Sequence, residues 1–257
     1  MVISVINYFL NLNPLFQALL AGIFTFFITA LGSGIVLLFK KINKSILNIM
    51  LAISAGIMIS ASFFSLLNPA IEICPSGYLI SFSFLSGGIL ILLCDKLLSK
   101  FCRSSNYENM KMSLMLFISI TLHNIPEGLV LGVAFASAGS NSIAAALSLT
   151  LGIAIQNFPE GAAISLPLRR EKISRFKAFI FGSLSAIVEP IFAVLGALIV
   201  LKIQSILPII MSLTAGAMIF VTILELIPES LTDKRKDLMA LFVMIGFIIM
   251  MFLELVL

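Results

Sequence analysis

Long apolar runs broken by short charged stretches divide this chain into eight segments. The runs fall at about 15–39, 47–67, 78–98, 113–136, 142–168, 176–201, 208–230 and 238–257, each near or above the roughly 18 residues that an apolar helix needs to cross a bilayer. The polar stretches between them are short, the longest being Ser99–Lys111. The pattern predicts an all-α polytopic membrane protein with eight transmembrane helices, residues 1–257 forming a single transmembrane domain. Gly32-Ser33-Gly34, Gly56 and Gly87-Gly88 read as packing positions, where small residues let membrane helices approach closely. Residues 1–13 form a short apolar lead without Lys or Arg, so no cleavable signal peptide is expected and the first span should direct insertion.

Composition agrees with the pattern. The chain has 257 residues, 60% hydrophobic and only 11% charged, and its mean hydropathy is +1.18. Soluble domains carry about 25% charged residues. The net charge of +4 does not call for nucleic acid, because the basic residues sit in short loops. Lys40, Lys41 and Lys44 follow the first segment. Lys96, Lys100, Arg103 and Lys111 follow the third. Arg169, Arg170, Lys172, Arg175 and Lys177 follow the fifth, and Lys234, Arg235 and Lys236 the seventh. Only Lys202 falls on the other side. The positive-inside rule puts these four loops in the cytoplasm and both termini outside, with a cell membrane as the default location. Cys74, Cys94 and Cys102 form no CxxC pair, so neither a thiolate zinc cluster nor a disulfide framework is indicated.

Charge inside the apolar runs is the informative chemistry. Asp95, Glu108, Glu171, Asp233 and Asp237 lie in or beside the basic loops and read as solvated surface. Glu127, Glu160 and Glu189 fall deep within the fourth, fifth and sixth segments. A carboxylate there costs ~2.5–3.5 kcal/mol on insertion scales, so each needs a function. Two of them belong to a repeat, His123-Asn124-Ile125-Pro126-Glu127-Gly128 and Gln156-Asn157-Phe158-Pro159-Glu160-Gly161. His123 and Glu127 are i and i+4 and share a helix face, as do Gln156 and Glu160. Pro126 and Pro159 lack an N–H, which is expected to kink each helix and free the carbonyls of Leu122 and Ile155. Irregular backbone at this depth is tolerated where it lines a cavity. The two segments run in opposite directions, in the manner of transporter repeats with discontinuous helices at the midplane.

Imidazole with carboxylate suits zinc and similar divalent metals, while amide oxygens are weaker ligands. A lone buried His is usually structural, but the only histidine here has a same-face Glu and a proline beside it. Glu225 and Glu229 repeat the Pro-Glu theme in the seventh segment, and snorkelling to the interface and a place in the exit path are equally open for them. Glu72, just beyond the outer end of the second segment, and Glu254, towards the outer end of the eighth, are candidates for an entrance. Met58 is one of 12 methionines, and spacing alone does not single it out.

Together these runs resemble the ZIP family of divalent metal transporters, with the GufA-like branch closest. The resemblance rests on the two Asn-x-Pro-Glu-Gly runs, Val188-Glu189-Pro190, Gly56-Ile57-Met58-Ile59-Ser60-Ala61-Ser62-Phe63 and Ile227-Pro228-Glu229-Ser230, and it extends over all eight segments. It implies a two-metal site between helices 2, 4, 5 and 6. Met58, His123, Glu127, Gln156 and Glu160 would hold the first ion. Asn124, Asn157 and Glu189 would hold the second, with Glu127, Glu160 and Glu189 as bridging candidates. It also implies a homodimer, movement of one helix bundle against another, and delivery of metal to the cytoplasm. The ion is then cargo rather than cofactor: zinc first, with iron, manganese, cadmium and nickel open. Some relatives have Asp where this chain has Asn157, and many have His where it has Gln156. The amides lower the charge and softness of the site.

Two other classes fit parts of the pattern. An intramembrane metal-dependent hydrolase would need an open metal position and a general base, and HExxH is absent. A proton-coupled transporter of non-metal cargo would use intramembrane carboxylates, but the grouping of His123, Glu127, Gln156 and Glu160 favours a small cation.

Overall fold

The computed structural model describes residues 9, 11–38, 43–103, 108–138, 143–170 and 173–256, with the side chains of 98–103, 108–120, 122, 123, 167, 170 and 204 outside the described part. Several residues singled out above therefore lie outside the described residues or side chains. They are the His123 side chain, most of the 1–13 lead, Lys40, Lys41, Lys100, Cys102, Arg103, Glu108, Lys111, Arg170, Glu171 and Lys172.

Among the described residues the chain is all helix. Eight long helices follow one another: α1 Pro14–Leu38, α2 Lys44–Ile73, α3 Gly77–Arg103, α4 Glu108–Ser137, α5 Ile143–Arg170, α6 Arg175–Lys202, α7 Leu207–Ser230 and α8 Lys236–Val256. Six of them (α1, α2, α3, α6, α7 and α8) are apolar and long enough to cross a membrane. The other two, α4 and α5, carry the Asn-x-Pro-Glu-Gly runs and have 30 and 28 residues. At 1.5 Å per residue, either would span a ~30 Å hydrocarbon core. Every expected segment is present. The largest difference is at the end of α2, which continues to Ile73 and takes Glu72 into its last turn.

The helices pack as two groups of four, α1, α4, α5, α6 and α2, α3, α7, α8, joined mainly where α2 meets α5. The most extensive pairings are α4 with α6, α1 with α5, α3 with α7, and α2 with α8. Exchanging α1 with α6, α2 with α7, α3 with α8 and α4 with α5 maps these pairings onto one another, which is the pseudo-symmetric repeat expected of the fold. Glycine makes the approach possible. A Cβ on Gly32 would overlap the Phe158 carbonyl of α5, and one on its counterpart Gly196 in α6 would lie 2.6 Å from the Leu129 carbonyl oxygen of α4. Burial is uneven. In its apolar window α2 buries 61% of its residues, α3 22% and α8 17%. Tyr78, Phe82, Phe252 and Leu255 leave large apolar surfaces outside.

The backbone irregularity is not where the sequence places it. The helix is unbroken through Pro126 in α4 and Pro159 in α5. Instead α2 widens into a π-helical stretch at Ser62–Leu67, just before Pro69, and α7 does the same at Thr222–Leu226, just before Pro228. A proline removes one i to i−4 bond and clashes with the preceding turn, and a wider turn relieves the clash. The two stretches are copies. Ala55-Gly56-Ile57-Met58 in α2 matches Ala215-Gly216-Ala217-Met218 in α7. The Ser62 hydroxyl donates to the Met58 carbonyl at 2.7 Å, and the Thr222 hydroxyl to the Met218 carbonyl at 2.8 Å. In α6 a 3-10 turn, Ser185–Ile187, precedes Glu189-Pro190.

Candidate metal-transport site

Helix packing brings the polar side chains of α4, α5 and α6 together in the interior. Glu127, Gln156, Asn157 and Glu189 are sealed from solvent, and Asn124 and Glu160 nearly so. Gly128 makes room for α6, since a Cβ there would lie 2.5 Å from the Glu189 carbonyl oxygen. The Gln156 amide donates to Glu127 Oε1 at 2.6 Å, bridging α5 to α4. The Asn157 amide donates to both Glu189 oxygens at 3.0 Å, bridging α5 to α6. Glu127 lies within electrostatic range of Glu160 and Glu189, so the three carboxylates form one group. Gln156 Oε1, Asn157 Oδ1 and Asn124 Nδ2 are buried and have no hydrogen-bond partner among the described residues. An unpaired buried polar atom costs about 1–3 kcal/mol, so two orphaned carbonyl oxygens beside three carboxylates are ready acceptors for a cation.

Among the described side chains, no three His, Cys, Asp or Glu groups converge closely enough to hold a metal ion by themselves. The amides stand between the carboxylates, and a cation held here would need their oxygens as well. Met58 is fully buried on α2, one turn beyond Ser54, whose hydroxyl donates to the Gln156 carbonyl at 3.2 Å. The Thr222 hydroxyl of α7 approaches the Met58 sulfur at 3.6 Å.

The four peripheral carboxylates stand apart from this group. Glu72 is exposed and accepts from the Asn68 amide at 3.0 Å, an ordinary i, i+4 pair within α2. Glu254, half-buried in the last turn of α8, accepts from the Ser65 hydroxyl of α2. Glu254 and Ser65 line a cavity of about 270 Å³ with Phe64, Ser137 and Met211. Glu225 lies in the π-helical stretch of α7, and Glu229 is exposed in its last turn.

The sequence reading missed α1. Thr25 and Thr29, one turn apart and buried, lie within hydrogen-bonding reach of the Glu189 carboxylate. Their hydroxyls also reach the carbonyls of Gly22 at 3.1 Å and Thr25 at 3.2 Å. Gly22 permits this contact, because a Cβ there would lie 2.6 Å from Pro190 Cα. The available signal was the run of small and hydroxyl residues at helical spacing, Gly22, Thr25, Thr29, Gly32 and Ser33, within an apolar helix.

A multi-pass helical membrane protein with buried carboxylates and amides clustered between its helices is built as a membrane transporter. A family model described as ZIP zinc transporter matches residues 104–254. Zinc transporter ZIP11 of Xenopus tropicalis is 31% identical over 94% of this chain and 97% of its own length. Zinc transporter ZupT of Streptococcus mutans is 30% identical over 86% of this chain and 90% of its own. For zinc transporter ZIPB of Bordetella bronchiseptica the figures are 32%, 92% and 80%. The chain belongs to the ZIP zinc transporter family, whose members are transporters and not enzymes. The hydrolase reading is therefore set aside, and a divalent metal ion is the cargo.

Proposed function

We propose that this protein carries divalent metal, zinc first, across a cell membrane into the cytoplasm through a midplane site on α2, α4, α5 and α6. Met58, His123, Asn124, Glu127, Gln156, Asn157, Glu160 and Glu189 hold the ion. The observation that carries this reading is the pair of orphaned amide oxygens, Gln156 Oε1 and Asn157 Oδ1, buried among three carboxylates. Oxygen-rich donors with a single imidazole suit a borderline or hard divalent ion, so iron and manganese remain open as cargo beside zinc, cadmium and nickel. Glu254 with Ser65 stands at the outer mouth, and Glu225 and Glu229 towards the cytoplasmic end. Both termini are outside, with the basic loops in the cytoplasm. The chain works as one transmembrane domain in contact with lipid and pairs as a homodimer.

The test is metal uptake by cells expressing the wild-type protein against Glu127→Ala and Glu160→Ala, with surface expression measured in parallel. Uptake is lost in both variants at normal expression; uptake unaffected by both changes rejects the site. A competition assay across divalent metals, run with Asn157→Asp beside wild type, ranks the cargo. The added carboxylate replaces a donor to Glu189 with a like charge, and metal affinity rises while the metal-free protein loses stability.

A further inference from the structure

The start of α2 and the α7–α8 turn border a second, open cavity lined by polar and charged residues, remote from the carboxylate group. It has a volume of about 460 Å³ and is lined by Lys44, Ser45, Asn48, Thr232, Asp233, Lys234 and Arg235. Its floor is built. Asn48 is buried. In the orientation that satisfies its amide, the oxygen accepts from the Thr232 hydroxyl at 3.1 Å and the Asp233 N–H at 3.0 Å, and the nitrogen donates to the Lys44 carbonyl at 3.2 Å. Asp233 accepts from Arg235 Nε at 3.2 Å, Nη2 at 3.3 Å and its backbone N–H at 3.0 Å. The one carboxylate in the cavity is thereby spent on holding a guanidinium in place. The ammonium groups of Lys44 and Lys234 remain exposed at the rim.

Three cations against one carboxylate leave two positive charges around a concave polar surface, and the N-terminal end of α2 adds a partial positive charge. Exposed Ile46, two residues past Lys44, marks the level at which apolar surface gives way to charge. A basic pocket between helices at that level matches the anionic oxygens of a headgroup.

We propose that this cavity binds a phosphate-bearing anion, the chemistry shared by an anionic phospholipid headgroup and by free phosphate. Lys44 and Lys234 pair with the phosphate oxygens, and Arg235, fixed by Asp233, presents its planar edge to them. The proposal depends on the chain lying in a membrane and not on the metal site, and its readout does not involve uptake.

The full chain in mild detergent is titrated with phosphatidylglycerol and with phosphatidylcholine and followed by native mass spectrometry. Wild type retains one phosphatidylglycerol per chain in preference to phosphatidylcholine. Lys44→Gln and Lys234→Gln each weaken that retention about fivefold, and the double variant about twenty-five-fold. Lys177→Gln, an exposed lysine on α6 outside the cavity, leaves it unchanged. In a second arm inorganic phosphate is added without lipid and the melting temperature is read. A phosphate shift that the double variant lacks, without a phosphatidylglycerol preference, assigns the site to a soluble anion. The reverse assigns it to the headgroup. Retention that falls equally with Lys177→Gln, or that is unchanged in the double variant with no phosphate shift, overturns the proposal.

Discussion

Gln156 donates its side-chain amide to Glu127 across 2.6 Å while the carbonyl oxygen of the same amide has no hydrogen-bond partner among the described residues. One side chain thus orients a carboxylate with one atom and offers an oxygen with another. Replacing it with alanine removes both roles. Partners that orient metal ligands are worth about 10–100-fold in affinity or activity, and Gln156→Ala lowers uptake efficiency by that order. Gln156→His supplies a nitrogen donor instead. Uptake is retained and competition shifts towards zinc over manganese, because imidazole is the softer ligand.

Thr25 and Thr29 make α1 part of the site through Glu189. Hydrogen bonds to charged groups contribute about 1.5–3 kcal/mol. In Thr25→Val/Thr29→Val, shape is nearly conserved but the polar partners of Glu189 are lost, so the melting temperature falls by about 2–8 °C. The KM for metal rises about tenfold, because the carboxylate loses the groups that fix it. A large melting shift with unchanged KM would mean that the threonines only hold α1 together.

These features were legible in the sequence to different degrees, and one was not. The His-Asn-x-Pro-Glu-Gly and Gln-Asn-x-Pro-Glu-Gly runs are local, so their residues were readable and the bridges Gln156–Glu127 and Asn157–Glu189 follow once α4, α5 and α6 are adjacent. The repeat of Met58 in Met218 is written in the chain, but its prolines fall out of step. The π-helical stretch has six residues in α2 and five in α7, so Pro69 and Pro228 do not align. Thr25 was not legible, because a threonine in an apolar helix ordinarily bonds its own backbone, and its second partner depends on Gly22 meeting Pro190. Glu72 falls beyond the apolar run at 47–67, whereas the wider turn before Pro69 lets the helix continue to Ile73.

Charge in the cluster sets a pH dependence. Glu127, Glu160 and Glu189 together carry −3 when ionised, and one divalent ion leaves −1. Excess charge is costly in a buried site, so a bound proton and a bound metal ion are alternative ways of lowering it. Protons then compete with metal. Affinity measured between about pH 5.5 and 8 rises with pH, and a flat profile sinks the mechanism.

Asp233 responds at the opposite extreme of pH. Hydrogen bonds from the Arg235 guanidinium and backbone, and from Ser45, hold its carboxyl well below the usual carboxylate range. A depressed folded value means that the clasp contributes stability above the ordinary aspartate value of about 4, and loses it as pH falls towards the lower folded value. Asp233→Asn lowers the melting temperature at neutral pH by about 1–4 °C, and the gap from wild type closes in acid. A gap that persists unchanged through the acid range assigns the loss to packing instead.

The paired π-helical stretches have a mechanical meaning. Each begins one turn after its Ala-Gly-x-Met run, but α2 and α7 traverse the molecule in opposite senses. The widened backbone therefore lies towards one end of the protein in α2 and towards the other in α7. A π-helical turn is wider than an α-helical one, so the same departure from regular helix is built into both ends of the bundle.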